Sequence, residues 1–350
     1  MTIALVIIAL ALLILIHEWG HFIAAKSFGL KVLEFGIGFP PKLFSKKKGE
    51  TEYSFNLLPL GGFVRIYGED AENLDDIEEP ERSLAFLDTW KKTVVILAGI
   101  FMNIVFGWLL ISAVFMIGAP EHLSIASVAE GSPAAEAELR TGDLIISTES
   151  SVGSLEDPIS SDDFINLVKN NPAVEFTLAI QRGEEVVTKT LTGRDNPPEG
   201  QGSLGVAIVD MGFEQKGFFE SFMEGAKSTW QSLGFIIVGF FGLIKNIFTA
   251  PDAVQNLTGP VGIFVLAKEA GTLGIVYLMQ LTALISLNLA VLNLIPFPAL
   301  DGGRFVMAII EKIKGSPISK KIEMSINALG FVLLIILMII VTINDIGTFF

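Results

Sequence analysis

The sequence predicts a polytopic α-helical membrane protein of four transmembrane helices. A small α+β domain is inserted between its two membrane halves, and a re-entrant β-hairpin lies in the first half. Three observations predict this. Long charge-free apolar runs lie towards both ends, a polar stretch rich in turn signals separates them, and basic residues cluster at particular ends of the runs. Of the 350 residues, 51% are hydrophobic, little above the ~45–50% of a soluble domain. The distribution of apolar residues therefore carries the inference, not their total.

A helix needs about 20 apolar residues to cross a bilayer. Residues 3–25, 93–117, roughly 275–295, and 326–343 meet that length, and a Gly-rich fifth run occupies 230–248. Lys26, Lys31, Lys42 and Lys46-Lys47-Lys48 follow the first run, and Lys91 and Lys92 precede the second. Arg304, Lys312, Lys314, Lys320 and Lys321 follow the third. Cytoplasmic loops carry the excess of Lys and Arg. With these residues inside, both termini and residues 118–274 lie outside the cytoplasm. A fifth crossing would move the basic 304–321 loop outside, so 230–248 is expected to lie against the membrane or the other helices, although it is long enough to cross. No basic residue precedes the first run, so it is expected to be retained rather than removed as a signal peptide.

The polar middle, 121–195, reads as a small mixed domain. Strands are expected at 124–128, 144–147, 174–182 and 186–192, with a short helix at 133–139. Ser161–Lys169 carries Phe164, Leu167 and Val168 behind Ser-Asp-Asp, the pattern of a capped amphipathic helix. The chain thus divides into a membrane half at 1–120, this domain, a linker and membrane-associated helical region at 196–274, and a second membrane half at 275–350.

There is no cysteine, which leaves His, Asp and Glu as ligands for any catalytic metal. The net charge of −14 argues against nucleic acid as a partner. Much of the acid lies at 69–81 and 121–220 and reads as solvated surface.

His17-Glu18-Trp19-Gly20-His21 is the strongest local signal. Four residues along a helix give about 6 Å of rise and roughly 40° of rotation, so the two imidazoles face one way. They can grip one zinc, and Glu18 beside them can deprotonate a water. Ionisable groups inside a spanning helix are costly and point to function. A catalytic zinc takes a third protein ligand. His122 falls on the opposite side of the membrane, whereas Asp301 arrives at the depth of the histidines. Pro296 and Pro298 break the chain before Asp301, and Gly302-Gly303 release it afterwards. Asp301 could equally cap the following helix. The stretch 54–66, with Gly61, Gly62 and Phe63, is apolar, broken by Gly and Pro, and too short to span. It reads as a re-entrant hairpin, or as an ordinary cytoplasmic one. A re-entrant hairpin could offer an open edge to which an unwound substrate adds as a strand.

Together these motifs resemble the site-2 protease family of intramembrane zinc metalloproteases (peptidase family M50), in its bacterial regulator-of-sigma-E-protease-like branch. The resemblance rests on His-Glu-x-x-His, Pro-Leu-Gly-Gly-Phe at 59–63, Leu-Thr-Gly-Pro-Val-Gly at 257–262, and Asn-x-x-Pro-x-Pro-x-x-Asp-Gly-Gly at 293–303. It implies an inner-membrane endopeptidase whose zinc is held by His17, His21 and Asp301, with Glu18 as general base. Asn293, Pro296 and Pro298 would help hold an unwound substrate segment. It implies that the middle domain is a PDZ domain, carried by Gly131-Ser-Pro-Ala-Ala and Leu139-Arg-Thr-Gly-Asp-Leu-Ile. Substrates would be transmembrane segments of single-pass proteins, such as anti-sigma factors or signal-peptide remnants, cut after their outer domains are trimmed. The chain has room for one PDZ domain where relatives often have two. The second span keeps Gly99 and Asn103 of a family motif but lacks its proline, so no role is carried over to Asn103.

Overall fold

The computed structural model describes residues 2–69, 77–156, 159–183, 185–198, 200–249, 258–316 and 318–349. The chain forms two compact units. One comprises Met1–Ser112, Phe222–Gly271 and Tyr277–Phe350; the other comprises Ala113–Ser221 and Thr272–Val276.

The apolar runs are helices, as they must be where lipid offers no partner to backbone N–H and C=O groups. They are α1 (Thr2–Ser27), α2 (Thr89–Ile117), α7 (Ile275–Leu294) and α9 (Lys320–Phe349). The fifth run lies inside a longer helix, α5 (Phe218–Thr249). Among the described residues five helices are long and apolar enough to cross a membrane, α5 included. Length and composition thus permit one more crossing than the four expected. Two shorter helices, α6 (Pro260–Leu273) and α8 (Asp301–Lys314), complete the set.

Small residues let these helices meet at backbone distance. A Cβ on Gly20 would lie 2.4 Å from the Ala98 carbonyl oxygen, so α1 and α2 touch backbone to backbone, a packing that small residues permit. Helix α6 is fixed between α1 and α7 through Val6, Ala267 and Leu278. Asp345 of α9 is buried and accepts from the N–H groups of Gly259 and Gly262 at 2.9 and 2.8 Å. That contact explains the Thr-Gly-Pro-Val-Gly stretch: its amides are the free first-turn donors of α6, and a carboxylate satisfies them. Leu257, at the start of that motif, lies outside the described residues.

The hairpin is larger than the expected 54–66 stretch. That stretch belongs entirely to β2 (Thr51–Ile66), and its partner is β1 (Val32–Lys48). Gly49, with φ +65°, makes the turn between them. Residues 42–48 run antiparallel to 51–56, and 34–37 run antiparallel to 62–65. Residues 34–37 are also registered with 52–55, the numbers rising together on both sides. The hairpin therefore folds back on itself, and the Lys46-Lys47-Lys48 run is strand. Ala25, Leu30, Val32, Ile66, Leu84 and Val95 form the core joining the hairpin to α1 and α2. Lys26 and Arg82 both donate to Glu50 at the turn, at 2.6 and 2.5 Å. Of the acidic stretch 69–81, residues 70–76 lie outside the described residues.

The second unit is an antiparallel sheet in the order β7-β6-β4-β3-β8, with β5 paired to β4. Its strands are β3 (Ala119–Val128), β4 (Leu144–Ser150), β5 (Gly153–Glu156), β6 (Glu175–Arg182), β7 (Glu185–Thr192) and β8 (Val206–Phe213). The sheet runs past residue 195: β8, in the stretch read as linker, pairs with β3. Helices α3 (Pro133–Glu136) and α4 (Ser161–Lys169) complete the unit. Ser160, one residue before the expected Ser161, accepts from Asp163 N and caps α4. Phe164 and Val168 of α4 meet Phe176, Leu178 and Ile180 in the core, each large side chain contributing about 2 kcal/mol by burial. The Thr-Gly-Asp turn is locked by Asp143, which is 1% exposed. Arg182 donates to it through Nε and Nη2 at 2.8 and 2.7 Å.

Candidate metal centre

Helix α1 places His17 and His21 one turn apart, and both side chains are buried. Their Nε2 atoms lie 3.2 Å from each other. Asp301, the first residue of α8, meets them with Oδ2 at 3.0 Å from His17 Nε2 and 3.4 Å from His21 Nε2. Among the described residues these three form a group able to hold a metal ion. Asp301 is not the cap of α8. That position belongs to Leu300, which makes no side-chain capping bond.

The outer ring nitrogens decide which face each imidazole offers. His21 Nδ1 donates to the carbonyl of Val95 at 2.8 Å. A carbonyl can only accept, so Nδ1 carries the proton and Nε2 presents its lone pair inward. His17 Nδ1 faces the amide of Asn103, with Nδ2 at 3.2 Å. Asn103 Oδ1 is buried without a partner. A half-turn of that amide lets Oδ1 accept from His17 Nδ1–H and frees the second Nε2 in the same way. Two imidazole lone pairs and a carboxylate oxygen then converge on one buried point. Such a set repels itself unless a cation stands among it, and two imidazoles with one carboxylate are the donor chemistry of a catalytic zinc.

The scaffold leaves no slack around this point. A Cβ on Gly99 would lie 2.4 Å from His21 Nε2 and 2.7 Å from His17 Cε1. Val95, Gly99 and Asn103 recur every fourth residue, so α2 turns one continuous face to the histidines. Sequence reading missed that face, although the spacing was there to be found. Gly302 and Gly303, read as releasing the chain after Asp301, instead lie inside the first turn of α8. Cβ atoms on them would lie 2.2 Å from the carbonyl oxygens of Ile295 and Phe297. Only glycine lets α8 press against the end of α7, and this carries Asp301 to the histidines.

Glu18 lines a cavity of about 90 Å³ together with His17, His21 and Asp301. Gly62 stands over it: a Cβ there would lie 3.3 Å from Glu18 Cγ. Strand β2 therefore passes directly beside Glu18. Phe63 packs its ring on Gly36 instead of facing the metal group. Pro298 packs against Gly330 and Gly303, and Ala299 N donates to Asn327 of α9 at 3.2 Å. Asn293 is half-buried and Pro296 exposed; neither lines the metal cavity. Two further charged residues do line it, Glu69 and Arg304, and neither was expected there.

A family model for peptidase family M50 matches residues 5–337. The Clostridium perfringens protein CPE1693, a zinc metalloprotease by provisional name, is 36% identical over 352 residues, covering 99% of this chain and 98% of that protein. The zinc metalloprotease RasP of Oceanobacillus iheyensis is 30% identical, covering 100% of this chain and 99% of the relative. The regulator of sigma-W protease RasP of Bacillus subtilis is 29% identical at the same coverage. The long apolar helices, the buried His-His-Asp group and these full-length matches agree. The chain is a zinc metalloprotease of peptidase family M50, a membrane-embedded member of the site-2 protease family of intramembrane proteases.

Proposed function

We propose that His17, His21 and Asp301 hold the zinc and that Glu18 is the general base. The protein cuts a transmembrane segment of a single-pass membrane protein. The observation that carries this reading is the convergence of the two Nε2 atoms and Asp301 Oδ2 beside Glu18.

Bound zinc supplies a Lewis acid that polarises the scissile carbonyl and acidifies water. Glu18 accepts the proton of the attacking water and passes it to the leaving amine. The peptide C–N bond breaks as a C–O bond forms, giving a carboxylate and an ammonium group. Intact helical hydrogen bonds would shield the carbonyl, so the substrate must unwind. Residues 61–63 favour unwinding: β2 pairs on one side with 34–37, and among the described residues its 62–65 segment has no second strand partner. An extended substrate adding there would pass Gly62 and lie next to Glu18. Asn293, Pro296 and Pro298 would help hold the unwound substrate segment, a role that rests on the family resemblance.

The family resemblance points to the inner membrane, and the Lys and Arg distribution supports both termini outside and the metal near the cytoplasmic face. It favours four crossings, with α5 against the membrane. The second unit is a PDZ domain outside the membrane that admits substrates only after their outer domains are trimmed. Membrane-bound anti-sigma factors or signal-peptide remnants are the substrate classes. The name of the Bacillus subtilis relative, regulator of sigma-W protease, supports the former.

The test is cleavage of a model transmembrane substrate by the wild type and by Glu18→Gln. Loss of at least ~100-fold is expected on removal of a general base. Undiminished cleavage would overturn the assignment.

A further inference from the structure

Hydrolysis creates a problem of charge. A neutral amide becomes a carboxylate in a cavity already lined by Glu18 and Asp301. Among the described residues lining that cavity, one is a Lys or Arg: Arg304. It sits one helical turn beyond Asp301 on α8, its backbone N–H bonded to Leu300 O at 3.2 Å. Both residues are thus carried by the same rigid turn.

Arg304 is engaged by Glu69, whose Oε1 accepts from its Nη2. Glu69 is itself fastened. Its Oε2 accepts from Ile66 N at 3.3 Å, and its carbonyl accepts from Lys320 Nζ at 2.8 Å. Behind this ion pair lies a second, larger cavity of about 760 Å³. The two cavities share four lining residues, Glu69, Arg304, Leu84 and Ile96. The ion pair is therefore part of the partition between them. The far side is mixed in charge: Lys92, Lys312 and Lys320 line it, with Glu311 and Glu323 paired to Lys92 and Lys320 at 3.3 and 2.9 Å.

We propose that Arg304 is the ligand for the carboxylate that peptide hydrolysis releases, and that this carboxylate displaces Glu69 and so opens the partition to the larger cavity. Glu69 is a carboxylate built into the chain at the place the product's carboxylate will take. An arginine fork matches either one. The exchange trades one ion pair for another and needs little net energy. Glu69 begins the acidic stretch 69–81 and thereby gains a task that solvated surface does not require. The inference rests on the proteolytic reading above.

The experiment uses the full-length zinc-loaded protein and two product peptides of one sequence, ending in a carboxylate or a carboxamide. Each competes with a model transmembrane substrate, and inhibition constants are read for wild type, Arg304→Gln, Arg304→Lys and Glu69→Gln. Zinc content and thermal stability are followed in parallel. Wild type should favour the carboxylate peptide. Arg304→Gln should shrink that preference about tenfold, roughly the loss of one charged hydrogen bond. Arg304→Lys should restore part of it, and Glu69→Gln should strengthen carboxylate inhibition several-fold by removing the competitor. A carboxylate preference unchanged in a zinc-loaded Arg304→Gln protein would overturn the proposal. If that variant does not fold, Glu69→Gln decides: no gain in carboxylate inhibition overturns it equally. A wild type that cleaves no transmembrane substrate would sink the proteolytic reading instead, so the two failures are distinguishable.

Discussion

His17 Nδ1 and the side-chain amide of Asn103 lie 3.2 Å apart across the α1–α2 interface. Asn103 is 0% exposed, and its main-chain carbonyl accepts from Ser286 Oγ of α7 at 2.8 Å. A zinc-binding imidazole is fixed through its outer nitrogen, and loss of such a partner costs about 10–100-fold in metal affinity. Asn103→Leu is expected to weaken zinc binding by that factor, read by competition with a calibrated chelator. An affinity equal to wild type would remove Asn103 from the site.

Gly99 has no room for a methyl group beside His21 Nε2. Gly99→Ala must move either α2 or an imidazole, at a cost of about 1–3 kcal/mol. The expected outcome is a folded protein with sharply reduced zinc content and cleavage, measured by metal analysis and substrate turnover. Full zinc occupancy would contradict the close approach.

Asp143 and Arg182 hold the turn before β4 to the end of β6. Asp143→Asn keeps the shape and removes the charge, leaving Arg182 with a poorer partner. The second unit should lose about 2–3 kcal/mol. Its resistance to proteolysis should fall while zinc content stays unchanged. Unaltered resistance would show that the pair is dispensable.

The hairpin turn should be acid-sensitive. Lys26 first, then Arg82, hold the Glu50 carboxyl below its ordinary range. A depressed pKa contributes stability that is present above the unfolded value near 4.5 and is lost as pH falls through the folded value below it. Glu50→Gln should therefore lower thermal stability at pH 7. The gap to wild type should narrow below pH 4.5. A gap that persists through that range would contradict the linkage.

The α1 half of the candidate site was legible because it is local. His17, Glu18 and His21 share one helix, and the 3.6-residue period alone sets the two imidazoles on one face with Glu18 next to them. Asp301 was legible as a motif but not as geometry. Its approach depends on Gly302 and Gly303 pressing into the end of α7, a relation between elements that no period records. Asn103 and Gly99 were set aside because the proline expected near them is missing, yet the face they form with Val95 does not need it. The hairpin's extent was missed because β1 carries Pro40, Pro41 and three consecutive lysines, a composition unlike that of a strand. β8 was missed because its partner β3 is distant in sequence, and a single edge strand between turns leaves a weak pattern.

Zinc per chain, measured on purified wild type, Glu18→Gln and Asp301→Ala after dialysis against one chelator, tests the central claim most directly. About one zinc per chain is expected in the wild type and in Glu18→Gln, and far less in Asp301→Ala, since a ligand is lost only in the last. Equal zinc in Asp301→Ala and wild type would contradict the assigned centre.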